Sequence, residues 1–293
     1  MRFDWYQATI DEEPRAALMT IAKLGHELRA ADGLAKRYHF NQGWSVHHNQ
    51  KGVVAHVFAG GNGTRPHAFA SSEATDEFVD LVRTEWADRH LVTRMDAAED
   101  FNEVGAFDRI HPLTRRIAKK HRLTFTKYED ELHPMAGRTQ YIGSPSSDYR
   151  GRLYEKGWEQ VAKLLKGFKK PLPADCAQYV TTIRNEVTGE DVRPQDWTRL
   201  ELQVRPRHEE GKRRAATATP EEAWSFSDWT TQLAEQALSL QLERITIRTR
   251  KMSSDEQSLR WMCKHYGAML HRLRQDLGDA DCVGREIFRI LDE

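Results

Sequence analysis

A short segment near the middle of the chain alternates tyrosine with cationic residues. It reads Tyr-Arg-Gly-Arg-Leu-Tyr-Glu-Lys over residues 149–156. If the segment is a β-strand, its period of two places Arg150, Arg152, Tyr154 and Lys156 on one face. A phenol with a pKa of about 10 is a weak nucleophile until nearby positive charge favours its phenolate. The pattern therefore predicts Tyr154 as a nucleophile and the three cations as ligands for phosphate oxygens.

Two further segments place acidic and basic residues on the polar face of a predicted strand. The first carries Asp96 and Asp100, and the second carries Glu201. Carboxylate oxygens hold hard cations such as Mg²⁺ or Mn²⁺, which polarise a phosphate and offset its developing charge. Each strand alone fits a half-exposed antiparallel strand, but three together favour a shared charged cleft. The other polar members of these two faces are Arg94, Arg199, Gln203 and Arg205.

The elements that would position these residues indicate an α+β fold. We predict a mostly antiparallel sheet with flanking helices, followed by a helical C-terminal region. The polar, Ala/Thr-rich stretch 209–220 predicts a linker between a catalytic and DNA-binding core at 1–208 and a mainly helical region at 221–293. The predicted strands are 3–10, 91–101 and 197–204, with a meander over 43–71 and a strand–turn–strand unit over 137–156. Apolar residues at helical spacing predict helices from Pro14 to Leu28, over 74–86, up to Arg122 and over 158–168.

The charge balance excludes a global basic field. The chain has 44 Lys and Arg against 44 Asp and Glu, so its net charge does not attract nucleic acid. Basic residues nevertheless cluster in the middle and later chain, and we expect these clusters to flank the cleft as a local DNA groove. One such cluster, Arg244 to Lys251, lies near the C-terminal end. The candidate DNA-binding residues are Arg115, Arg116, Lys119, Lys120, Arg122, Lys163, Lys166, Lys169, Lys170, Arg205 and Arg207.

Cysteine usage and hydropathy indicate a cytoplasmic protein. Cys176, Cys263 and Cys282 are widely spaced and form no CxxC pair, which fits neither a disulfide framework nor a zinc site. No window approaches the roughly 20 apolar residues that a membrane span requires. The first residues include an early acid and lack the apolar segment of a secretory signal. We therefore expect no membrane partner.

Four ordered segments carry a family resemblance. They are Val-Thr-Arg-Met-Asp-Ala-Ala-Glu-Asp (92–100), Gly-Arg-Thr-Gln-Tyr-Ile-Gly-Ser (137–144), Arg-Leu-Tyr-Glu-Lys-Gly (152–157) and Arg-Leu-Glu-Leu-Gln-Val (199–204). Together they resemble the replication initiation factor family, the rolling-circle replication initiators of filamentous phages and small plasmids, which are related to conjugative-element relaxases. The resemblance covers roughly residues 44–206 and, more loosely, the helical tail.

The resemblance implies a relaxase-like nicking-initiator sheet and a metal-dependent, sequence-specific nicking and joining endonuclease. Such an enzyme cuts one strand at the origin, forms a 5′-phosphotyrosine bond and leaves a 3′-hydroxyl for synthesis. Carried onto this chain, Tyr154 is the nucleophile, and Asp96, Glu201 and Asp100 are the ligands of Mg²⁺ or Mn²⁺. The implied partners are origin DNA, single-stranded or in a hairpin, with the host helicase and polymerase. The oligomeric state stays open, a homodimer included.

Two alternative functions and two competing tyrosines remain open at this stage. The chain could be a regulator that holds origin DNA without cutting it, or a hydrolytic metal nuclease in which Tyr154 only positions phosphate. Period two places Tyr149 on the opposite side of its strand, and the apolar neighbours of Tyr141 favour packing. The chain lacks the His-hydrophobic-His motif of the HUH nucleases, and we interpret His47 and His48 as structural or surface residues.

Overall fold

Ten strands build one continuous sheet in the computed structural model, which describes residues 1–168, 172–186, 188–245 and 254–292. The strands are β1 (Arg2–Ile10), β2 (Glu27–Ala30), β3 (Phe40–His48), β4 (Gly52–Gly61), β5 (His67–Ser71), β6 (His90–Asn102), β7 (Phe125–Tyr128), β8 (Thr139–Ile142), β9 (Tyr149–Tyr154), β10 (Ile183–Arg184), β11 (Asp191–Val192) and β12 (Trp197–Val204). The sheet order is β2-β3-β4-β5-β1-β6-β12-β9-β8-β7, and β10 and β11 form a separate hairpin. Every strand pairing in the described ranges is antiparallel.

Helices lie between the sheet strands in the sequence and after the last of them. They are α1 (Pro14–Ile21), α2 (Asp32–Arg37), α3 (Thr75–Glu85), α4 (Ala106–Lys120), α5 (Lys156–Lys166), α6 (Glu209–Thr217), α7 (Asp228–Leu238), α8 (Ser254–Leu277) and α9 (Ala280–Leu291). The predicted α+β class is confirmed, as are the predicted strands and the meander. None of the helices in the described ranges combines the length and apolarity that crossing a membrane demands.

The two faces of the sheet differ in chemistry because side chains alternate along each strand. One face, which we call the apolar face, carries residues such as Met95, Leu153 and Leu200. Helices α1, α3, α4, α6 and α7 cover it, and their buried residues join the same hydrophobic cluster. Each large apolar side chain removed from water there contributes about 1.5–3 kcal/mol. The helical layer therefore fixes the sheet from one side.

The opposite face, which we call the polar face, is covered only in part by helices. Helix α2 packs Ala35 among Phe40, Phe58 and Phe69. Helix α5 approaches the face near its other end, where the Glu159 carboxylate lies 3.6 Å from the Arg152 guanidinium. In the sheet order, β1 and β6 separate β5, which contributes Phe69 to the α2 cluster, from β12 and β9, which α5 approaches.

Two predicted elements differ from the structure. The helix that begins at Pro14 ends at Ile21 and does not reach Leu28, because Leu28 lies in β2 and pairs with Val46 of β3. The predicted linker contains helix α6, whose buried Ala215 and Ala216 pack into the main core. Small side chains let this helix approach the sheet closely, so an Ala-rich stretch that resembles a linker becomes part of the fold.

The division into compact units also lies further along the chain than the sequence indicated. The chain forms one unit at Met1–Ile247 and a second at Arg248–Glu293. Residues beyond the predicted core boundary belong to the first unit because Trp224, Trp229 and Leu233 are buried in its hydrophobic core. Within the described residues, the second unit consists of α8 and α9, and these two helices contact each other.

Gly157 generates a prediction about how α5 is seated. A Cβ atom at this position would lie 2.2 Å from the carbonyl oxygen of Pro194, in the turn that leads into β12. We expect Gly157→Ala to force the two backbones apart and to lower the free energy of unfolding by about 1–3 kcal/mol or more. Gly33→Ala in α2 is the control, since its Cβ would meet no atom within 4 Å. Equal denaturation midpoints for the two variants would contradict the close approach.

Candidate active site

The register of five adjacent strands brings the predicted polar residues together on the polar face. Residues that pair directly across strands point to the same side of a sheet. One row runs through Asp100, Arg199, Tyr154, Thr139 and Tyr128, from β6 to β7. The next row runs through Ala98, Glu201, Arg152, Tyr141 and Thr126. The three polar strand faces that the sequence indicates therefore meet on one surface.

Tyr154 lies at the centre of this surface and is only 2% exposed. Its hydroxyl donates a hydrogen bond of 3.3 Å to Oε2 of Glu201. The Arg152 guanidinium lies 3.7 Å from the Tyr154 ring centroid, and the Lys156 ammonium lies 5.7 Å from it. A tyrosine hydroxyl, an acceptor for its proton and two cations are thus assembled at one point.

The charge state of Tyr154 differs from the sequence-based expectation. Burial, followed by the negative field of Glu201, raises the pKa of Tyr154 well above its ordinary value. Arg199 and Arg152 oppose this shift in its pKa but do not reverse it. The expectation that neighbouring cations favour the phenolate is therefore wrong for the free protein, because removal from water outweighs their field. The hydroxyl needs a proton acceptor, and Glu201 is the one that it contacts.

Glu201 and Asp96 are two buried carboxyl groups whose charges repel. Burial, then the fields of Asp96 and Asp4, raises the pKa of Glu201 from 4.5 to about 7. Burial also raises the pKa of Asp96, against the opposing hydrogen bond from Arg94. Arg94 contacts both Asp96 oxygens, with its Nε donating at 2.9 Å and its second nitrogen forming a short ion pair. The unionised form of Glu201 is therefore substantially populated near neutral pH.

Arg199 joins three strands beneath these groups and has an exposed fraction of 0%. Its Nε and one terminal nitrogen donate to the two Asp100 oxygens at 2.7 and 2.8 Å. Its other terminal nitrogen donates to Asp4 at 2.8 Å. Trp197 donates a further bond of 2.9 Å to Asp100. Asp100, expected as a metal ligand, thus has both oxygens occupied as the ion-pair partner of Arg199.

Asp4 and Arg199 are site residues that the sequence reading did not select. Asp4 lies in β1 between Phe3 and Trp5, and its field acts on Asp96, Glu201 and Arg199. The feature of the sequence that could have indicated Asp4 is its position between two aromatic residues of the first strand. Its connection to the other strands could not be read from spacing, because β1 pairs with β6 through irregular register between Phe3 and Trp5.

Arg150 is a cation of this face that has no carboxylate partner within the described residues. Its guanidinium lies 4.0 Å from the centroid of the Tyr141 ring, and its Nε has no hydrogen-bond partner there. Arg152, by contrast, has Glu159 at 3.6 Å. Both arginines are half-buried. An arginine that lacks a carboxylate is available to hold an anionic oxygen of a ligand.

Lys156 is buried where α5 begins. Its ammonium contacts Glu159 at 3.1 Å, and Lys163 contacts the same carboxylate at 3.2 Å. Burial, followed by the field of Arg199, lowers the pKa of Lys156. The predicted catalytic residues Arg150, Arg152, Tyr154 and Lys156 therefore all lie in or beside the polar face.

The carboxyl groups of the polar face are of the type that binds metal ions, but they are not arranged as a metal centre in the free protein. Within the described ranges, no three His, Cys, Asp or Glu side chains are grouped closely enough to hold an ion. Asp96 and Glu201 nevertheless form a buried pair whose mutual repulsion a cation would relieve. Asp4 is the third carboxylate that acts on both. The donor set fits a hard divalent ion, provided that Arg94 yields at least one oxygen of Asp96.

The predicted DNA-binding residues fall in different places. Those on and after α4 do not flank the polar face, because α4 buries Ile110 and Ile117 against the apolar face. This corrects the expected position of Arg115, Arg116, Lys119, Lys120 and Arg122. Lys163 and Lys166 lie on α5, at the polar face, while Arg205 and Arg207 bind the carbonyl groups of Pro145 and Ser146. Lys169, Lys170 and most of the cluster Arg244 to Lys251 lie outside the described residues.

Comparisons with known proteins add one similarity at the level of structure. No protein-family profile matches the sequence, and no curated protein matches it significantly. Among solved structures, the chain is similar to a rolling circle replication initiator protein from Geobacillus stearothermophilus, with 19% sequence identity and a TM-score of 0.49. The similarity covers 87% of this chain and 89% of that one.

Glu201 generates a prediction for stability against pH. Its folded pKa of about 7 exceeds the unfolded value of 4.5, so the folded chain binds more protons in this interval. The free energy of unfolding therefore decreases as pH rises through the interval and this contribution is fully lost above it. We expect Glu201→Gln to be more stable than the parent by about 1–3 kcal/mol at pH 8, with a smaller difference at pH 5.

Chemical denaturation in the presence of EDTA measures this difference without interference from metal ions. Glu73→Gln, at an exposed position outside the polar face, is the matched control and should show no such dependence on pH. A Glu201→Gln variant that is less stable than the parent at pH 8 would mean that Glu201 is ionised and stabilised by its neighbours.

Proposed function

We propose that this chain initiates rolling-circle replication by cutting one DNA strand, with the Tyr154 hydroxyl as nucleophile. The observation that carries the proposal is the hydrogen bond from Tyr154 to Glu201 among the arginines of the polar face. A hydroxyl that donates to a base is the usual arrangement of an activated nucleophile. The four sequence segments that resemble the replication initiation factor family support the same reaction, and all four contribute residues to this surface or to its neighbouring strands.

In the proposed step the phenolic oxygen of Tyr154 forms a bond to the phosphorus of the scissile phosphodiester. The bond from phosphorus to the 3′-oxygen breaks, the phenolic proton passes to Glu201, and the leaving oxygen takes a proton from water. The hydroxide that this leaves in the solvent is neutralised when Glu201 releases its proton. The products are a 5′-phosphotyrosine and a free 3′-hydroxyl. Attack of a 3′-hydroxyl on the phosphotyrosine reverses each change, so rejoining requires no ATP. Without a bound ion, a Glu201 pKa of about 7 suits it to accept and return this proton near neutral pH, and a bound cation would lower that pKa and favour the ionised acceptor.

The cations of the polar face would hold the phosphate while its charge develops. Arg150, which has no carboxylate partner in the described chain, can hold a non-bridging oxygen without first breaking an ion pair. Arg152 covers the Tyr154 ring and would exchange Glu159 for phosphate, which also uncovers the buried phenol. Because Tyr154 is 2% exposed, this exchange is a requirement of the proposal.

A divalent ion is the proposed cofactor. Asp96 would hold it together with the Glu201 oxygen that does not accept from Tyr154, and Asp4 is a further carboxylate whose field acts on both acids. When bound, Mg²⁺ or Mn²⁺ would polarise the phosphate and neutralise the two acids. Arg94 occupies both oxygens of Asp96 in the free protein, so it has to release one of them before Asp96 can bind an ion. The nearby Trp5 ring, 4.4 Å from the Arg94 guanidinium, can retain the displaced cation.

The burial of Tyr154 favours one alternative enough to be tested beside the proposal. In a hydrolytic metal nuclease, water would attack the phosphate and Tyr154 would only position it. That reaction needs no exposed phenol, and it leaves no bond between protein and DNA. A covalent adduct therefore separates nicking and joining from hydrolysis, and it also separates both from a regulator that binds without cutting.

The covalent bond is tested by Tyr154→Phe, which removes one buried oxygen. We expect the variant to fold and to bind DNA but to lose both nicking and the adduct, since no other hydroxyl contacts Glu201 in the described structure. The readout is a protein–DNA band on a denaturing gel, with an oligonucleotide from the element's own origin. Tyr149→Phe is the control, because Tyr149 points to the apolar face beside Val204. Adduct from Tyr154→Phe but none from Tyr149→Phe would overturn the assignment.

The metal ligands are tested by titration of Mn²⁺ followed by calorimetry and by thermal unfolding. Asp96→Asn and Glu201→Gln should each lose the Mn²⁺-dependent stabilisation, which for a single site is about 2.7 kcal/mol at a free ion concentration of 100 Kd. Asp100→Asn should weaken the fold through Arg199 yet retain a Mn²⁺-dependent shift. Unchanged Mn²⁺ affinity in Asp96→Asn and Glu201→Gln would place the ion elsewhere.

A further inference from the structure

An aromatic and cationic cluster lies at the β8–β7 end of the polar face, and its two tyrosines have no part in the chemistry described above. The ring of Tyr141 is half-buried and has the Arg150 guanidinium 4.0 Å from its centroid. The Tyr128 ring meets Tyr141 edge-on, with centroids 5.9 Å apart and an interplanar angle of 81°. Tyr128 itself is 61% exposed on the terminal strand β7. We call these three residues the edge cluster.

Packing does not account for the edge cluster. Tyr141 is absent from the hydrophobic core clusters, and Tyr128 exposes most of its surface. Arg150 has no carboxylate partner in the described ranges. By contrast, the Arg94–Trp5 contact of the polar face already has an aromatic partner: the Trp5 ring lies 4.4 Å from the Arg94 guanidinium and stacks on Phe69 with centroids 4.8 Å apart. The edge cluster is thus the part of this face where aromatic and cationic surface is left for a ligand.

We infer that the edge cluster stacks an unpaired base of a single DNA strand next to the phosphate that Tyr154 attacks. This inference rests on the proposed function and names the form of its substrate at this surface. Tyrosine rings and guanidinium planes bind the faces of bases, and such stacking needs bases that are free of a duplex. Arg150 supplies both the plane and the charge for the adjacent phosphate.

The sheet geometry places the cluster at a suitable distance from the nucleophile. Tyr141 pairs directly with Arg152, and Tyr154 lies in the neighbouring row of the same strand. Adjacent strands are about 4.8 Å apart, so the Tyr141 backbone lies one strand away from that of β9. A base on Tyr141 would therefore belong to a nucleotide close to the scissile phosphate. Because the contact is to the face of a base, it would position the strand without selecting its sequence.

Charge next to the cluster indicates the side from which the strand approaches. Glu129, Asp130 and Glu131 follow Tyr128 directly in the chain, and negative charge there disfavours a phosphate. Arg150 and Arg152 lie on the other side of Tyr141, towards β9. The strand should therefore cross from the edge cluster towards Tyr154 over these arginines and not along the acidic segment.

Equilibrium binding of oligothymidylate of about 12 nucleotides tests this inference in the full chain that carries Tyr154→Phe, so that no covalent bond contributes. We expect Tyr141→Leu to weaken binding about tenfold, because one base–aromatic stack is lost, while Tyr141→Phe and Tyr141→Trp retain affinity. The salt dependence should stay unchanged in Tyr141→Leu. In Arg150→Gln the log–log slope should fall by about 0.7, because one phosphate contact is lost.

Two controls separate stacking from unfolding and from charge. Tyr179→Ala removes a tyrosine that is 78% exposed and outside the sheet, and it should bind like the parent. An abasic nucleotide scanned along the oligonucleotide should weaken the parent at one position and have no effect there in Tyr141→Leu. Should Tyr141→Leu fail to fold, Tyr128→Ala at the exposed ring supplies the same comparison with a smaller expected loss.

The outcomes distinguish this inference from the proposed function. Equal affinity for Tyr141→Leu and its parent, or a loss that abasic scanning does not localise, would overturn base stacking even if Tyr154 forms its adduct. A localised tenfold loss without any adduct from the Tyr154 enzyme would uphold stacking and overturn the cleavage chemistry. The absence of any binding to unpaired DNA would overturn both.

Discussion

The guanidinium of Arg199 is the interaction on which the polar face depends. It lies wholly out of water and joins β12 to Asp100 of β6 and to Asp4 of β1. Removing such a charge from water costs several kcal/mol, and only close, well-directed carboxylates offset this cost. Tyr154 is the direct neighbour of Arg199 on β9, so the position of the phenol is set by the same arrangement. Loss of either acid would leave part of this buried guanidinium without a hydrogen-bond partner.

The same surface gives Glu201 less compensation than Arg199 receives. Its hydroxyl contact is Tyr154, and burial with the fields of Asp96 and Asp4 raises its pKa against the opposing fields of Arg152 and Arg199. Structural ion pairs minimise such repulsion, whereas sites that move protons or hold cations retain it. Arg199 and Glu201 lie in adjacent rows of the polar face. Arg199 is paired with two carboxylates and maintains the fold, whereas Glu201, which has no ion pair within the described residues, is available for chemistry.

The sequence predicted more of the strands than of their contacts. Period two correctly placed Arg150, Arg152 and Tyr154 on one face, because alternation is a local property of the chain. The charge state of Tyr154 was not predictable, since it depends on burial by residues far along the chain. The position of α4 was mistaken for a related reason. Its basic residues are visible in the sequence, but the side of the sheet that it covers is set by packing.

The strand order implies that the site is completed when β12 joins the sheet during folding. Strand β12 is the last of the ten sheet strands in the sequence, yet it lies between β6 and β9. Until it is in place, both neighbours expose unpaired edges, and the halves of the polar face that carry Asp96 and Tyr154 remain unconnected. Inserting a strand between distant partners requires long loops to close, which is slow compared with hairpin formation. Arg199 and Glu201 therefore arrive together, so that assembly of the candidate site and closure of the sheet become a single event.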